Sequence, residues 1–468
     1  MEPTLNISPD AKDRSPGSLD VDSQLVEDIA SLIEADQRGM VLNILTDLHP
    51  ADLARIIAHV GKEEARTVLR WLSVETAADV LAELEDDFRA ELADSIPQER
   101  LTAIIDELDT DDAADVLADL PVEVAEQILP ELEDHFDVKE LLSYDEDSAG
   151  GLMATEFVSV RDNCNVAEAT EEVRRHAESV EEIFMLFVLD DLDRLVGIVT
   201  MKRLLLSQAG TVISEIMDTD TVSVTTDVDQ EEVARLMERY DLITLPVTDA
   251  GGCLVGRITI DDVVDVIREE AEEDIQRMSG VAGGEEHTDT VVRIMRGRLP
   301  WLLVGLAGAS MAALVIISFE QSLAAASILA GFIPIVMATA GNAGIQSSAI
   351  AVQGLASGDI WASDIKRRLI KEFSVAILNG IVSSAVLGGA ILLYGAFFDI
   401  HGPVQLAYTA AIALLIVIVL ATTIGAMTPL FLDKFGIDPA LATGPFITTS
   451  NDILGILVFF LLADWLYL

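Results

Sequence analysis

Five apolar stretches in the last third of the chain, at about 299–318, 325–352, 372–397, 405–431 and 444–467, decide most of what it can become. Each reaches the ~20 residues that a helix needs to cross the hydrocarbon layer of a bilayer. Inside that layer backbone amides must find partners within their own segment, so each stretch is expected to be a helix. Arg293, Arg296 and Arg298 precede the first stretch, and Lys366, Arg367, Arg368 and Lys371 separate the second from the third. The turns on the other side carry Glu320, and Asp399 with His401. Positive loops stay on the cytoplasmic side. The N-terminal half is therefore expected in the cytoplasm and the C-terminus outside, in a multi-pass protein of the cell membrane.

The rest of the chain obeys different rules. The sequence is 51% hydrophobic yet has a formal charge of −51. From Asp289 onward there are ten acids and eight bases, and the first 288 residues hold the other 70 acids and 21 bases, a net of −49. An acidic soluble half is thus joined to an apolar membrane half. Only 7 of the 29 bases are lysine. Two readings of this surplus stay open: adaptation to high salt, where acidic surfaces remain soluble, and a surface that collects cations. No nucleic-acid partner is expected. Cys164 and Cys253 lie far apart and indicate neither a disulfide framework nor a zinc site. The polar N-terminus has no basic and apolar leader, and residues 1–22, rich in Pro, Ser and Asp, are expected to be disordered.

From 23 to 140 the pattern is helical and repeats. "TAADVLAELEDD" (76–87) returns as "DAADVLADLPVE" (112–123), with "ADLARIIAHV" (51–60) a looser copy. Short helices with apolar residues at i, i+3 and i+4, broken by Pro and acidic turns, predict stacked hairpins, an all-α superhelical domain. Residues 141–268 change to short strands alternating with helices, in two copies of about 141–208 and 209–268. "MATEFVSV" (153–160) answers "MDTDTVSV" (217–224), and "RLVGIVTMKRLL" (194–205) answers "CLVGRITIDDVV" (253–264), with Gly197 and Gly256 59 residues apart. This tandem resembles a CBS-domain pair, an α/β regulatory module. In CBS domains that bind adenosyl nucleotides, a Thr and a terminal Asp hold the ribose. Thr259 and Asp262 fit that role for ATP, whereas the first copy has Thr200 with Arg203 where the Asp would stand.

An acidic connecting helix is expected over 269–298, continuing "DDVVDVIREEAEEDIQRM" (261–278). Asp262, Asp265, Glu269 and Glu273 recur at spacings of 3, 4 and 4, on one face. Like charges at that spacing each cost a few tenths of a kcal/mol. A solvated face is one reading and a face that attracts counter-ions is the other. In the membrane region, 299–468, the second span contains "PIVMATAGNAGIQSS" (334–348) and the fifth follows "TGPFITTSND" (443–452). Pro334, Gly341 and Gly344 are expected to loosen the second span, and Asn342 and Gln346 place amides in it. Close helix packing with amides as polar glue competes here with a hydrophilic path through broken helices. Asp452, preceded by Asn451, is the one acid deep within a span, and such a residue is a functional candidate. A structural hydrogen bond is the alternative. No H-E-x-x-H pair and no G-x-x-x-x-G-K-[ST] loop occurs, so neither an intramembrane metalloprotease nor an ATP-driven pump is expected, and no enzyme.

The order of these domains is similar to that of the MgtE family of magnesium channels. So are "GNAGIQ" (341–346), "KRRLIKEF" (366–373) and "DPALATGPFITTSND" (438–452). The resemblance implies a homodimer with one pore on the two-fold axis, lined by the second and fifth spans. It implies that Asp452 binds the passing Mg²⁺ and that Mg²⁺ between the cytoplasmic domains closes the pore. By position it suggests Asp241, Asp262, Asp265, Glu270, Glu273 and Asp274 as ligands, with Asp229 and Glu231 in the second CBS copy and Asp111 and Asp115 on the N-terminal domain. Arg203 and the unusual acidity depart from the family pattern. Two alternatives remain: passage of other divalent ions such as Co²⁺ or Mn²⁺, and a membrane-anchored cation or nucleotide sensor without transport.

Overall fold

A computed structural model of the protein describes residues 23–468, apart from 47, 94, 178–179, 181, 282–289, 357–364, 399–401 and 443. The disorder expected of residues 1–22 lies outside the described residues, as does the turn with Asp399 and His401. The chain divides between Ile267 and Arg268 into two units.

The first unit begins with ten helices: α1 (Ser23–Glu34), α2 (Arg38–Leu45), α3 (Pro50–His59), α4 (Lys62–Trp71), α5 (Val74–Ala82), α6 (Asp86–Ala93), α7 (Gln98–Ile105), α8 (Thr110–Asp119), α9 (Val122–Ile128) and α10 (His135–Leu141). They stack in steps of two, α3 on α5, α5 on α7, α6 on α8 and α8 on α10. The sequence repeat has a packing cause. Ala77, Ala78, Val80 and Leu81 of α5 are buried, and so are Ala113, Ala114, Val116 and Leu117 at the matching positions of α8. Small residues let the next helix approach, and Val and Leu fill the gap behind them.

Two small sheets follow. The first contains β1 (Ser159–Arg161), β2 (Met185–Leu189) and β3 (Leu195–Thr200), with α11 (Val166–Arg175) and α12 (Met201–Leu206). The second unit of the tandem adds α13 (Ile213–Ile216), β4 (Val224–Thr225), α14 (Gln230–Tyr240), β5 (Thr244–Thr248) and β6 (Leu254–Thr259), and then α15 (Ile260–Met278). In each sheet the first strand runs parallel to the second and the second antiparallel to the third. Val188 pairs with Gly197, and Val247 with Gly256. Both glycines are required by close approach: a Cβ at Gly197 would stand 2.6 Å from the Asp218 carbonyl oxygen, and one at Gly256 2.8 Å from that of Ala154.

The membrane unit has five long apolar helices: α16 (Val291–Ser318), α18 (Ile333–Ala356), α19 (Ile365–Phe397), α20 (Pro403–Lys434) and α21 (Pro445–Leu466), with the short α17 (Glu320–Ala325) after the first. A 3₁₀ turn, Ser327–Phe332, leads into α18, and another, Pro439–Ala442, precedes α21. Helix α20 packs against α18, α19 and α21. Phe319 stacks on Phe460 with ring centroids 5.0 Å apart, closing one end of the bundle.

Two expectations are corrected. The acidic helix is α15, which starts at Ile260 and ends at Met278, while residues from Val291 already belong to the first span. The second and fifth spans are also not broken at their polar segments, since α18 runs unbroken through Gly341–Gln346 and α21 through Thr448–Asp452. The glycines serve close packing instead. A Cβ on Gly344 would collide with Asn451 and stand 2.8 Å from Ile447 Cγ2, and one on Gly425 of α20 would collide with the Gly344 carbonyl. Overpacking of this kind costs about 1–3 kcal/mol or more. Gly344→Ala should therefore lower the melting temperature of the detergent-purified protein by several degrees. Gly305→Ala, where a Cβ meets nothing within 4 Å, should leave it unchanged; equal melting of the two would refute the packing role.

Candidate functional site

Helices α18 and α21 run antiparallel in contact. Gly341 faces Thr448 (3.8 Å from an added Cβ), Gly344 faces Ile447 and Asn451, and Gly455 faces Ala340 and Val336. This register sets Asp452 level with the Ala340–Asn342 turn. Asn451 is 2% exposed. Its Nδ2 donates to the Ala340 carbonyl at 3.4 Å, and its Oδ1 has no partner among the described residues. Gly341 and Gly344 are buried in the same contact. By contrast, Asn342 and Gln346, one helical turn apart, are exposed on the surface of the single chain, and Asp452 is half-buried. No hydrogen bond or ion pair joins the Asp452 carboxylate to a described residue. The six residues expected along an ion path thus divide into three that line helix packing and three that reach the surface. Glu372, near the start of α19, accepts a hydrogen bond from Ser347 Oγ of α18 at 2.9 Å.

In the first unit, acids from distant segments meet. Asp109, Asp111 and Asp112 lie at the start of α8, and Asp262 in the first turn of α15. Burial, then the charges of Asp112, Asp262 and Asp109, push the Asp111 carboxyl well above its usual range. Burial and Asp262 raise Asp112 to about 7. Asp262 itself is raised to about 6 by burial, against the Thr259 hydrogen bond that favours its charge. Asp115, one turn further along α8, adds its charge to that acting on Asp112. Burial raises it to about 7 although the Arg89 guanidinium opposes this. Arg89, 7% exposed, bonds to both Asp86 and Asp119 at 2.8 Å. Sequence reasoning found Asp111, Asp115 and Asp262 but missed Asp112, Asp119 and Arg89. The "DTDDAADVLAD" run (109–119) was visible; its facing partners were not.

The remaining expected ligands have local partners. Asp229 caps α14, accepting from the Glu231 backbone N–H at 2.9 Å, and Glu231 pairs with Arg235 at 3.2 Å. Asp241 ends α14 in the left-handed conformation, φ 51°. Thr259 Oγ1 donates to Asp262 Oδ2 at 2.7 Å, so this pair is bonded to itself. Asp265 is exposed on α15, whereas Glu270, Glu273 and Asp274 are half-buried. At the foot of α15, Arg277 pairs with Glu273 and, at 2.5 Å, with Asp438 from the turn before α21. Burial, then Asp438 and Glu270, raise the Asp274 carboxyl while Arg277 opposes them. Asp438 and Arg277 were not anticipated. Among the described residues no three His, Cys, Asp or Glu side chains converge in a geometry that would hold a metal ion.

Comparison with known proteins bears on the whole chain. Residues 333–462 match the family model for the MgtE divalent cation transporter, 48–147 that for the MgtE intracellular N domain, and 149–210 and 213–269 that for the CBS domain. The magnesium transporter MgtE of Thermus thermophilus is 35% identical, over 92% of this chain and 96% of its own. That of Bacillus subtilis is 32% identical, over 90% and 92%. A crystal structure of the cytosolic domain of the Mg²⁺ channel MgtE in complex with ATP is 39% identical over 51% of this chain, with a TM-score of 0.48. With four MgtE and CBS segments in order and full-length relatives above 30% identity, the chain belongs to the MgtE family of divalent cation transporters, a multi-pass membrane protein and not an enzyme.

Proposed function

We propose that the chain is a Mg²⁺ channel that works as a homodimer and is closed by Mg²⁺ on its cytoplasmic side. One observation carries the reading: exposed Asn342 and Gln346 and half-buried Asp452 lie at similar depth in an otherwise apolar bundle, the acid without a hydrogen-bond or ion-pair partner among the described residues. Facing lipid, an ionised Asp near the bilayer centre costs roughly 2.5–3.5 kcal/mol. A second copy across a two-fold axis would cover this polar strip with its own, and two carboxylates would then face each other. Mg²⁺ sheds water reluctantly and is typically held by one or two carboxylates through retained waters. Each Asp452 is therefore compensated by the ion that passes. Asn451, Gly341 and Gly344 support the path from behind by fixing α18 on α21. An inside-negative potential of 100 mV contributes ~4.6 kcal/mol for a divalent ion at ~2.3 per charge, so entry is passive with the N-terminal half in the cytoplasm.

Closure follows from the acids of the soluble half. Asp111, Asp112 and Asp262 repel one another where α8 meets α15, and Asp115, Asp265, Glu270, Glu273 and Asp274 extend the acidic surface. Divalent ions shared between them would replace repulsion by bridging and hold the domains together. Asp229, Glu231 and Asp241 are further ligands on the second CBS copy, reached by giving up their helix-terminal bonds. Passage of Co²⁺ or Mn²⁺ uses the same groups. A sensor without transport leaves the exposed amide strip without purpose. For ATP, Thr259 and Asp262 present a hydroxyl and a carboxylate at the N-terminus of α15, suited to a ribose diol once their mutual bond opens.

Three outcomes test this reading. In proteoliposomes the wild type should take up Mg²⁺ until Mg²⁺ on the cytoplasmic face shuts it. Asp452→Asn should abolish uptake while cross-linking still traps a dimer; normal uptake by this variant would sink the claim that the carboxylate carries the ion. The raised carboxyls set a pH dependence. A folded-state pKa above the unfolded value of 3.8 means that Asp112 favours the fold fully at low pH and that this contribution fades as pH rises to about 7. In chelator, Asp112→Asn should therefore gain melting temperature over wild type progressively between pH 4 and 7, and added Mg²⁺ should close the gap. Parallel melting curves across that window would contradict it. Finally, Thr259→Ala should weaken ATP binding in calorimetry at least tenfold, and unchanged binding would exclude this site.

A further inference from the structure

The foot of α15 is joined to the base of the Asp452 helix by a contact that the reading above does not use. Arg277 Nη1 donates to Asp438 Oδ2 at 2.5 Å, and Nη2 pairs with Glu273 one turn earlier on α15. Asp438 is in turn fixed by its own backbone, its Oδ1 accepting from the Ala440 N–H at 2.7 Å at the start of the Pro439–Ala442 turn. Beside the ion pairs the main chains touch. A Cβ on Gly444 would stand 3.1 Å from the Met278 carbonyl oxygen and 3.2 Å from the Gly280 nitrogen, and one on Gly280 2.8 Å from Pro445 Cδ. Gly280 has φ +77°, which lets the chain turn off α15 against Pro445, the first residue of α21.

An exposed ion pair would contribute little. This one differs in two respects. Arg277, Glu273 and Asp438 are each about one-third exposed or less, at 32%, 28% and 27%. The guanidinium also serves two carboxylates with separate nitrogens, an arrangement that orients as well as attracts. Asp274 on α15 is close enough to feel the charges of Asp438, Glu270 and Arg277, so the guanidinium sits within a group of acids and opposes their repulsion.

We propose that Arg277 is a positioning residue that pins α15 to the turn before α21, so that a displacement of α15 is delivered to the base of the helix bearing Asp452. From Pro445 to Asp452 the helix rises two turns, about 10 Å at 1.5 Å per residue. Such a helix transmits a tilt at its base to the carboxylate without any contact between α15 and the pore. The inference rests on the channel reading and adds the element that couples its two halves.

Charge exchange tests it in the full-length protein in proteoliposomes. Arg277→Glu and Asp438→Arg, made singly, should leave Mg²⁺ uptake from low cytoplasmic Mg²⁺ near wild type and raise the Mg²⁺ concentration for half-closure at least tenfold. The two together restore opposite charges and should bring half-closure back within about threefold. A Mg²⁺ ligand at Asp438 could not be replaced by an arginine, so rescue separates pairing from ion binding. A double exchange no better than either single change overturns the proposal. Should the exchanges fail to fold, Arg277→Gln, Asp438→Asn and their combination provide the same reading as a coupling cycle. There the combined shift should equal that of either single change, and shifts that multiply would overturn the proposal. Failure of the channel reading is seen separately, in a wild type that does not transport or does not close.

Discussion

The structure turns on carboxylates that have lost water and far outnumber the bases near them. The first 288 residues supply 70 acids against 21 bases, so most acids cannot be paired within the chain. Where they are dispersed and exposed, screening within ~8 Å at physiological salt removes most of the repulsion. Where folding gathers them, at Asp109, Asp111, Asp112 and Asp262, burial and mutual charge act together and proton affinity rises toward neutrality. Among the described residues of the membrane-spanning helices, Asp452 likewise has no base paired with it. In the proposed function a mobile cation would compensate both groups.

The few internal cations are placed where acids from separate segments must stay together. Arg89 of α6 ties Asp86 to Asp119 of α8, and Arg277 ties α15 to Asp438. Both are arginines, whose planar fork can serve two carboxylates at once and keeps its charge when partly buried. Burial raises Asp112 and Asp115 to about 7 even though the Arg89 charge opposes it at both, and Asp111 has only acids among its strongest electrostatic neighbours. In the proposed function, fixed guanidinium ions would mark the permanent joints and the acid-rich group the joint served by an exchangeable ion.

Much of the architecture was legible because it is periodic. The five apolar stretches returned as helices whose ends differ by at most eight residues, and the doubled "AADVLA" and "VGIVT"/"VGRIT" segments returned as matching helices and matching strands. The breaks predicted in the second and fifth spans did not. Gly341 and Gly344 within an apolar run are compatible either with a loosened helix or with close packing, and local sequence cannot say which. The decision came from Gly425 on α20 and Asn451 on α21, residues 81 and 107 positions beyond Gly344. Arg277–Asp438, separated by 161 residues, and the Asp112–Asp262 approach escaped for the same reason. Pairwise chemistry between remote segments leaves no trace in either segment alone.

One consequence joins the soluble acids to the proposed gate. A carboxyl with a proton affinity near 7 is only partly ionised at neutral pH, so a divalent ion must displace protons to bind it. In the proposed closure, protons and Mg²⁺ would satisfy the same oxygens. Either one would remove the repulsion between Asp111, Asp112 and Asp262, and each would weaken the response to the other. In the proposed function, the cluster around Asp111 and Asp112, rather than the net charge of −49 on residues 1–288, would therefore be where ion concentration and acidity are read together.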